Sequence, residues 1–345
     1  MWESKNLRTI LRIKNAVPHF FADGIFVYSI KNKIFSISDL QEPKPHLIAE
    51  IPWTGLQHLS HFRVFDRYFK NSILLVHKTR NNGYLAGTGH GWWHIDQLGN
   101  VHSVSHFSDT RPMHRGFCES FSGWTYVAEY ISNPQRKEVH IYRTRDLALF
   151  EIAWTFEKKS IRHVHALISD PALPNRIWIL TGDLDHESCF FYTDDDFSTL
   201  KCFYKKGQIS RATDLIIRCD DLYWGMDSPL ETSYLIHGNK KDPNRIDRVC
   251  ELSGPAYYLC QNENSNIYVG TTVEPGPGVK DKFARIIKID AAYNCLELLK
   301  RRADIFPQYG IFYFPKGILP RNILIYSQRA LYPYEGCLTI AEDHS

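Results

Sequence analysis

The sequence predicts an all-β chain, a seven-bladed β-propeller with six blades as the alternative, and three observations carry that reading. Short apolar-rich runs recur along the chain, and almost no window shows helical periodicity. Clusters of turn residues separate the runs. An Asp-containing turn then returns at a nearly constant interval, which marks a repeated unit.

The strand-like runs include Ile34–Ile37, Ile73–His77, Tyr126–Tyr130, Val139–Arg143, Ile177–Leu180, Cys189–Tyr192, Leu215–Arg218, Ile267–Val269, Arg285–Ile289 and Ile323–Tyr326. Between them stand turn formers such as Asn81-Asn82-Gly83, Leu98-Gly99-Asn100, Asn262 to Asn266 and Pro275 to Gly278. The recurring turns carry Asp39, Asp96, Asp146, Asp195 and Asp290, spaced by 57, 50, 49 and 95 residues. The last interval is about two steps, with its missing beat near Lys241-Asp242 and a final one near Tyr334-Glu335-Gly336. A period of about 49 residues holds four short strands, which is one propeller blade. The whole of residues 1–345 is therefore expected to form one domain, with an N-terminal strand able to close the last blade.

Composition narrows the function. Of 345 residues, 43% are hydrophobic and 14% aromatic, enough for a large core. The 41 basic and 38 acidic residues nearly balance and form no block of one sign, which argues against a nucleic-acid partner. No apolar run is long enough to span a bilayer, and the charged first 16 residues do not read as a secretory signal, so a cytoplasmic protein is expected. Eight cysteines without CxxC spacing read as buried free thiols.

Several polar groups sit inside or just after strands. His163 and His165 lie two apart in a strand-like run, which places both imidazoles on one face. Such a pair could serve as a base, or hold a divalent metal if a neighbouring blade supplied a third ligand. Asp183, Asp185 and Glu187 alternate just after the Trp178–Leu180 run and would project to one side if the strand continued. Paired carboxylates can divide general-acid and nucleophile duties, or bind calcium. Trp224 followed by Asp227 suggests an aromatic platform beside a carboxylate, and Trp92 or Trp93 could also stack on a sugar. Glu129, Tyr130, Arg162, Gln208, Arg211, Glu274 and Gln308 complete the set, roughly one cluster per blade, which converging strands would bring to one mouth.

Two chemistries fit. A lyase acting on a uronate needs a His or Tyr base and a cation on the carboxylate, and Tyr130, Arg162, His163, His165 and Arg211 supply these types. A glycoside hydrolase needs two carboxylates, and Glu129, Asp183, Asp185, Glu187, Asp227 and Glu274 supply those. Nucleotide, metalloprotease and serine-hydrolase signatures are absent.

Thr193-Asp194-Asp195-Asp196-Phe197-Ser198-Thr199-Leu200 resembles a degenerate Asp-box, the Ser/Thr-x-Asp-x-Gly-x-Thr-Trp turn, with Phe197 at the Gly position. Thr144-Arg145-Asp146-Leu147-Ala148 resembles the first half of another, with Ala148 there. The order Val127-Ala128-Glu129-Tyr130, Arg162-His163-Val164-His165, Thr181-Gly182-Asp183, Gly207-Gln208, Tyr223-Trp224-Gly225-Met226-Asp227, Thr271-Thr272-Val273-Glu274 and Gln308-Tyr309-Gly310 is similar to bacterial propellers of the sialidase-like, Asp-box superfamily. The resemblance implies a carbohydrate-facing propeller whose partner is an oligosaccharide or polysaccharide, acting as an enzyme or as a glycan-binding scaffold. The sialidase pattern itself is absent: no Arg-Ile-Pro and no arginine triad are found.

Overall fold

The computed structural model describes residues 2–53, 72–80, 83–105, 107–108, 110–304 and 309–345. Among them the chain is built almost wholly from short strands, with one 3₁₀ turn at Gly207–Ser210. Every run named from the sequence lies on a strand or overlaps one.

The chain opens with β1 (Trp2–Glu3) and β2 (Leu7–Lys14). Six sets of four follow. The first is β3 (Ala16–Ala22), β4 (Ile25–Ile30), β5 (Lys33–Ile37) and β6 (His46–Glu50). The second is β7 (Ile73–Lys78), β8 (Tyr84–Thr88), β9 (Gly91–Ile95) and β10 (Val101–Ser103). The third is β11 (Phe117–Glu119), β12 (Thr125–Ala128), β13 (Val139–Thr144) and β14 (Glu151–Phe156). The fourth is β15 (His163–Ser169), β16 (Ile177–Gly182), β17 (Cys189–Thr193) and β18 (Lys201–Tyr204). The fifth is β19 (Ile216–Arg218), β20 (Asp221–Gly225), β21 (Tyr234–Asn239) and β22 (Ile246–Glu251). The sixth is β23 (Ala256–Asn262), β24 (Ile267–Thr271), β25 (Phe283–Ile289) and β26 (Cys295–Ala303). The last stretch holds β27 (Ile311–Tyr313), β28 (Ile318–Leu319), β29 (Ile323–Arg329), β30 (Leu331–Tyr332) and β31 (Cys337–Asp343).

Hydrogen bonding sorts these strands into seven sheets, each of the six sets forming one in consecutive order. The sixth sheet is enlarged by β1, β28 and β30, and the seventh runs β2-β31-β29-β27. This is the seven-bladed β-propeller that the repeat predicts. The chain divides into two compact units, one of Met1–Ala22, Leu180–Phe191 and Cys202–Ser345, the other of Asp23–Ile179 and Tyr192–Lys201.

In the first unit, β2 pairs antiparallel with β31 from Leu7↔Asp343 to Lys14↔Cys337, so an N-terminal strand does complete the last sheet. The turn near Tyr334-Glu335-Gly336 is consequently not an outer-strand turn; it joins β30 to β31, because the outer strand comes from the other end of the chain. A buried ion pair, Lys288 to Asp343 at 3.0 Å, fastens the end of β31 to the sixth sheet, and the Tyr268 hydroxyl donates to the same carboxylate at 2.8 Å. Trp224 fills the space between Phe190 and Tyr204, with ring centroids 4.9 and 5.4 Å away. Close packing reaches Gly225, where a Cβ would stand 2.4 Å from that of Ala256.

The recurring Asp residues cap their own turns. In the second unit, Asp96 Oδ1 accepts from the N–H groups of Leu98 and Asn100, both at 2.9 Å, while the Asn100 amide donates to Oδ2. These bonds, the Asn100 side chain foremost, hold the Asp96 carboxyl down at about 2. In the first unit, Asp290 makes the same set with Ala292 and Asn294, with Tyr293 at φ +66° where the earlier turn has Gly99. Thr193 and Asp195 also hold their turn as an Asp-box does: the Phe197 N–H donates to the Thr193 hydroxyl, and Thr199 donates through N–H and hydroxyl to Asp195. Phe197 has φ +70°, as a residue at the Gly position must. The Thr144 turn is one residue tighter, so its left-handed residue is Leu147 at φ +60° and not Ala148.

Two predictions follow from burial. Gly225→Ala forces a methyl into Ala256 and should lower stability by about 1–3 kcal/mol, read as a drop in urea midpoint; an unchanged midpoint contradicts the packing. His19, 1% exposed, has its pKa lowered by burial to about 3. Between that value and 6.5 the unfolded chain binds a proton that the folded chain does not. Stability should therefore be full above pH 6.5 and fall as pH drops below it, and His19→Gln should flatten the slope between pH 5 and 6.5 by up to about 1.4 kcal/mol per pH unit. Equal slopes in both proteins would contradict this.

Candidate functional site

The second unit carries the imidazole set. His163 and His165 both sit on β15, and the period of two brings their rings to 5.0 Å between centroids, as the sequence predicts. They are 5% and 3% exposed. Tyr130, just after β12, places its ring 4.1 Å from that of His163. Arg162, half-buried, immediately precedes β15, and its carbonyl accepts from the Asn133 amide.

Glu129 stands beside Tyr130 but is engaged differently. Its carboxylate accepts from the Ser108 hydroxyl at 2.7 Å, the His140 N–H at 2.9 Å and the Tyr142 hydroxyl at 3.4 Å. The residue therefore ties the connection from β12 to β13 to the segment of Ser108. This unit also holds a cavity of about 380 Å³ at the β9–β10 and β13–β14 turns, lined by His94, Asp96, Leu98, Arg145 and Leu147 among others. Among the described residues, none of the sequence-predicted site residues lines it.

In the first unit, a second polar set forms around Arg211. The chain leaves β16 at Gly182 and turns, with the N–H groups of Glu187 and Ser188 both donating to the Leu184 carbonyl. Asp183 and Asp185 thereby face Gln208 and Arg211 of the segment before β19. The Gln208 amide donates to the Asp183 carbonyl at 3.2 Å and to Asp185 Oδ1 at 2.7 Å, and its oxygen accepts from the Ser228 hydroxyl at 2.8 Å. The Arg211 guanidinium lies 3.3 Å from Asp227 Oδ2 and 3.6 Å from Asp183 Oδ1, and donates to the Asp183 carbonyl at 3.1 Å. Burial works against its charge, but Asp227, Asp183 and Glu274 outweigh burial and raise its pKa. Glu274 accepts from the Tyr257 hydroxyl at 2.8 Å.

Three carboxylates, of Asp183, Asp227 and Glu274, thus surround one guanidinium, on residues that follow β16, β20 and β24 in turn, and Asp185 stands beside them on Gln208. Such oxygens suit calcium or magnesium, whereas the imidazoles of the second unit suit zinc.

Three further expectations need revision. Trp224 is fully buried, with its indole N–H donating to the Ile209 carbonyl, so its ring is core and offers no face to a sugar. Trp92 is likewise packed, against Phe107. Glu187 is 1% exposed because the chain turns after Gly182 instead of continuing as a strand, so alternation does not bring it beside the exposed Asp185. Gln308 lies outside the described residues. Sequence reasoning missed Tyr257; its place at the head of β23, just after Gly254-Pro255, was the available signal.

No family model and no curated protein matches the chain. Among solved structures it is similar to a catalytically inactive histidine-to-alanine variant of virginiamycin B lyase from Staphylococcus aureus with quinupristin. That likeness has TM-score 0.63 and 11% identity over 97% of this chain and 98% of that one. The extracellular domain of a B. thetaiotaomicron one-component system gives TM-score 0.56 and 10% identity, covering 99% of this chain and 40% of that one. A prolyl endopeptidase structure gives 0.54 and 10%, covering 97% and 50%. These likenesses show the propeller fold, and enzymes are among the proteins that carry it.

The Arg211 set yields a direct test. Arg211→Met leaves Asp183 and Asp227 facing each other without their cation and should cost about 3 kcal/mol of stability. Adding Asp227→Asn should recover at least about 1 kcal/mol, measured by urea denaturation of the four proteins of the cycle. Strict additivity would show that the guanidinium and Asp227 do not interact.

Proposed function

We propose that this propeller cleaves an acidic oligosaccharide by elimination, with Tyr130, His163 and His165 as the proton-transferring groups. The observation that carries the reading is the pair of buried imidazoles on β15 with the half-buried phenol of Tyr130 against one of them. One of the three takes the proton from the carbon α to the sugar carboxylate. The electrons of that C–H bond form a carbon–carbon double bond as the bond to the leaving oxygen breaks, and another of the three protonates that oxygen. Arg162, adjacent to His163, neutralises the carboxylate.

The virginiamycin B lyase, inactive as a histidine-to-alanine variant, supports assigning the base to histidine. The Asp195 turn, with its threonine, aspartate and left-handed residue in Asp-box positions, supports kinship with carbohydrate-acting Asp-box propellers.

Hydrolysis is the second reading, and the three carboxylates around Arg211, with Asp185 on the neighbouring Gln208, favour it. Incubation with a panel of acidic and neutral oligosaccharides separates the two. Elimination predicts the ultraviolet absorbance of a new conjugated double bond, reduced at least about 100-fold in His163→Ala and His165→Ala. Reducing ends without that absorbance would establish hydrolysis instead. Binding without cleavage would make the protein a glycan-binding scaffold and overturn both.

A further inference from the structure

All eight cysteines are free thiols, but only Cys118, Cys189, Cys260 and Cys337 are buried; Cys202, Cys219 and Cys295 are exposed and Cys250 half-buried. Two of them stand together in the first unit. The Sγ atoms of Cys189, at the start of β17, and Cys202, in β18, are 3.0 Å apart, closer than two sulfur atoms rest without a bond or a shared hydrogen. A disulfide brings the sulfurs to about 2.05 Å, so the pair needs a movement of only about 1 Å.

We propose that Cys189 and Cys202 form a reversible disulfide, a modification site served by a low-molecular-weight disulfide such as oxidised glutathione. Burial pushes the Cys189 thiol up, while Cys202 is exposed, so Cys202 is the group that an oxidant meets first. Its thiolate attacks one sulfur of the oxidant and releases one equivalent of thiol. Cys189 then attacks the Sγ of Cys202, gives up its proton and expels the second equivalent. Two protein thiols and one small disulfide become one protein disulfide and two small thiols.

The site has a consequence for its surroundings. Cys189 directly follows the turn that carries Asp183 and Asp185, and the Thr181 hydroxyl, at the other end of that turn, donates to the Glu187 carbonyl at 2.7 Å and the Cys189 carbonyl at 3.3 Å. β18 leads into the segment of Gln208 and Arg211. The bond would therefore staple the two strands that flank these polar residues, whatever their substrate.

The test uses the whole protein equilibrated in glutathione buffers of increasing oxidation, quenched in acid, denatured and alkylated with a maleimide. Peptide mass mapping should find Cys189 and Cys202 joined in oxidising buffer, two alkylations fewer on the protein, and full reversal in dithiothreitol. Cys189→Ser should instead hold Cys202 as a mixed glutathione disulfide, because the resolving thiol is gone. Cys250 and Cys295, whose thiols are also hydrogen-bond neighbours, provide the internal comparison. The proposal is overturned if both cysteines stay fully alkylated, if a glutathione adduct persists on Cys202 of the unaltered protein, or if a bond forms only between Cys250 and Cys295.

Discussion

The pairing of β2 with β31 is the interaction on which the end of the fold rests. An unpaired β31 would leave an open row of backbone donors and acceptors along seven residues, which invites fraying and association. β2 covers that row and turns β31 into an interior strand, buried at every position but Glu342. Two charge pairs then hold the ends: Glu3 to Arg301 at 2.6 Å beside β1, and Lys288 to Asp343 at 3.0 Å at the tip of β31. Both cations are almost fully buried, so loss of either carboxylate would leave a charge that water cannot reach.

The polar residues of interest owe their places to the repeat. A four-stranded antiparallel unit returns the chain to the same end after its second strand and again before its next first strand. Glu129 and Tyr130 follow β12, Asp183 follows β16, Asp227 follows β20 and Glu274 follows β24. Gln208 and Arg211 precede β19 as Arg162 precedes β15. Residues far apart in sequence thus occupy equivalent positions, and within the first unit those positions converge on Arg211. The Asp-capped turns lie elsewhere, between third and fourth strands, and their chemistry is consumed by their own backbone.

What the sequence revealed was whatever is local. Strands and turns depend on neighbours a few residues away, so the beats at Asp39, Asp96, Asp146, Asp195 and Asp290 were visible, as was the shared face of His163 and His165. The misplaced features depend on distant packing. Trp224 is core because Phe190, Tyr204 and Gly238 close around it. Glu129 is held by Ser108, whose approach no local pattern announces. Glu187 is buried by a turn stabilised from the Thr181 hydroxyl. The final beat failed for a related reason, since the outer strand of the last sheet comes from the opposite terminus.

The most direct measurement is a crystal structure of the protein with an acidic oligosaccharide bound in an inactive His163→Ala form. The account predicts a sugar carboxylate beside Arg162, with the bond to be broken adjoining Tyr130 and His165. Oligosaccharide found only elsewhere, for example in the cavity lined by His94, Asp96 and Arg145, would contradict it.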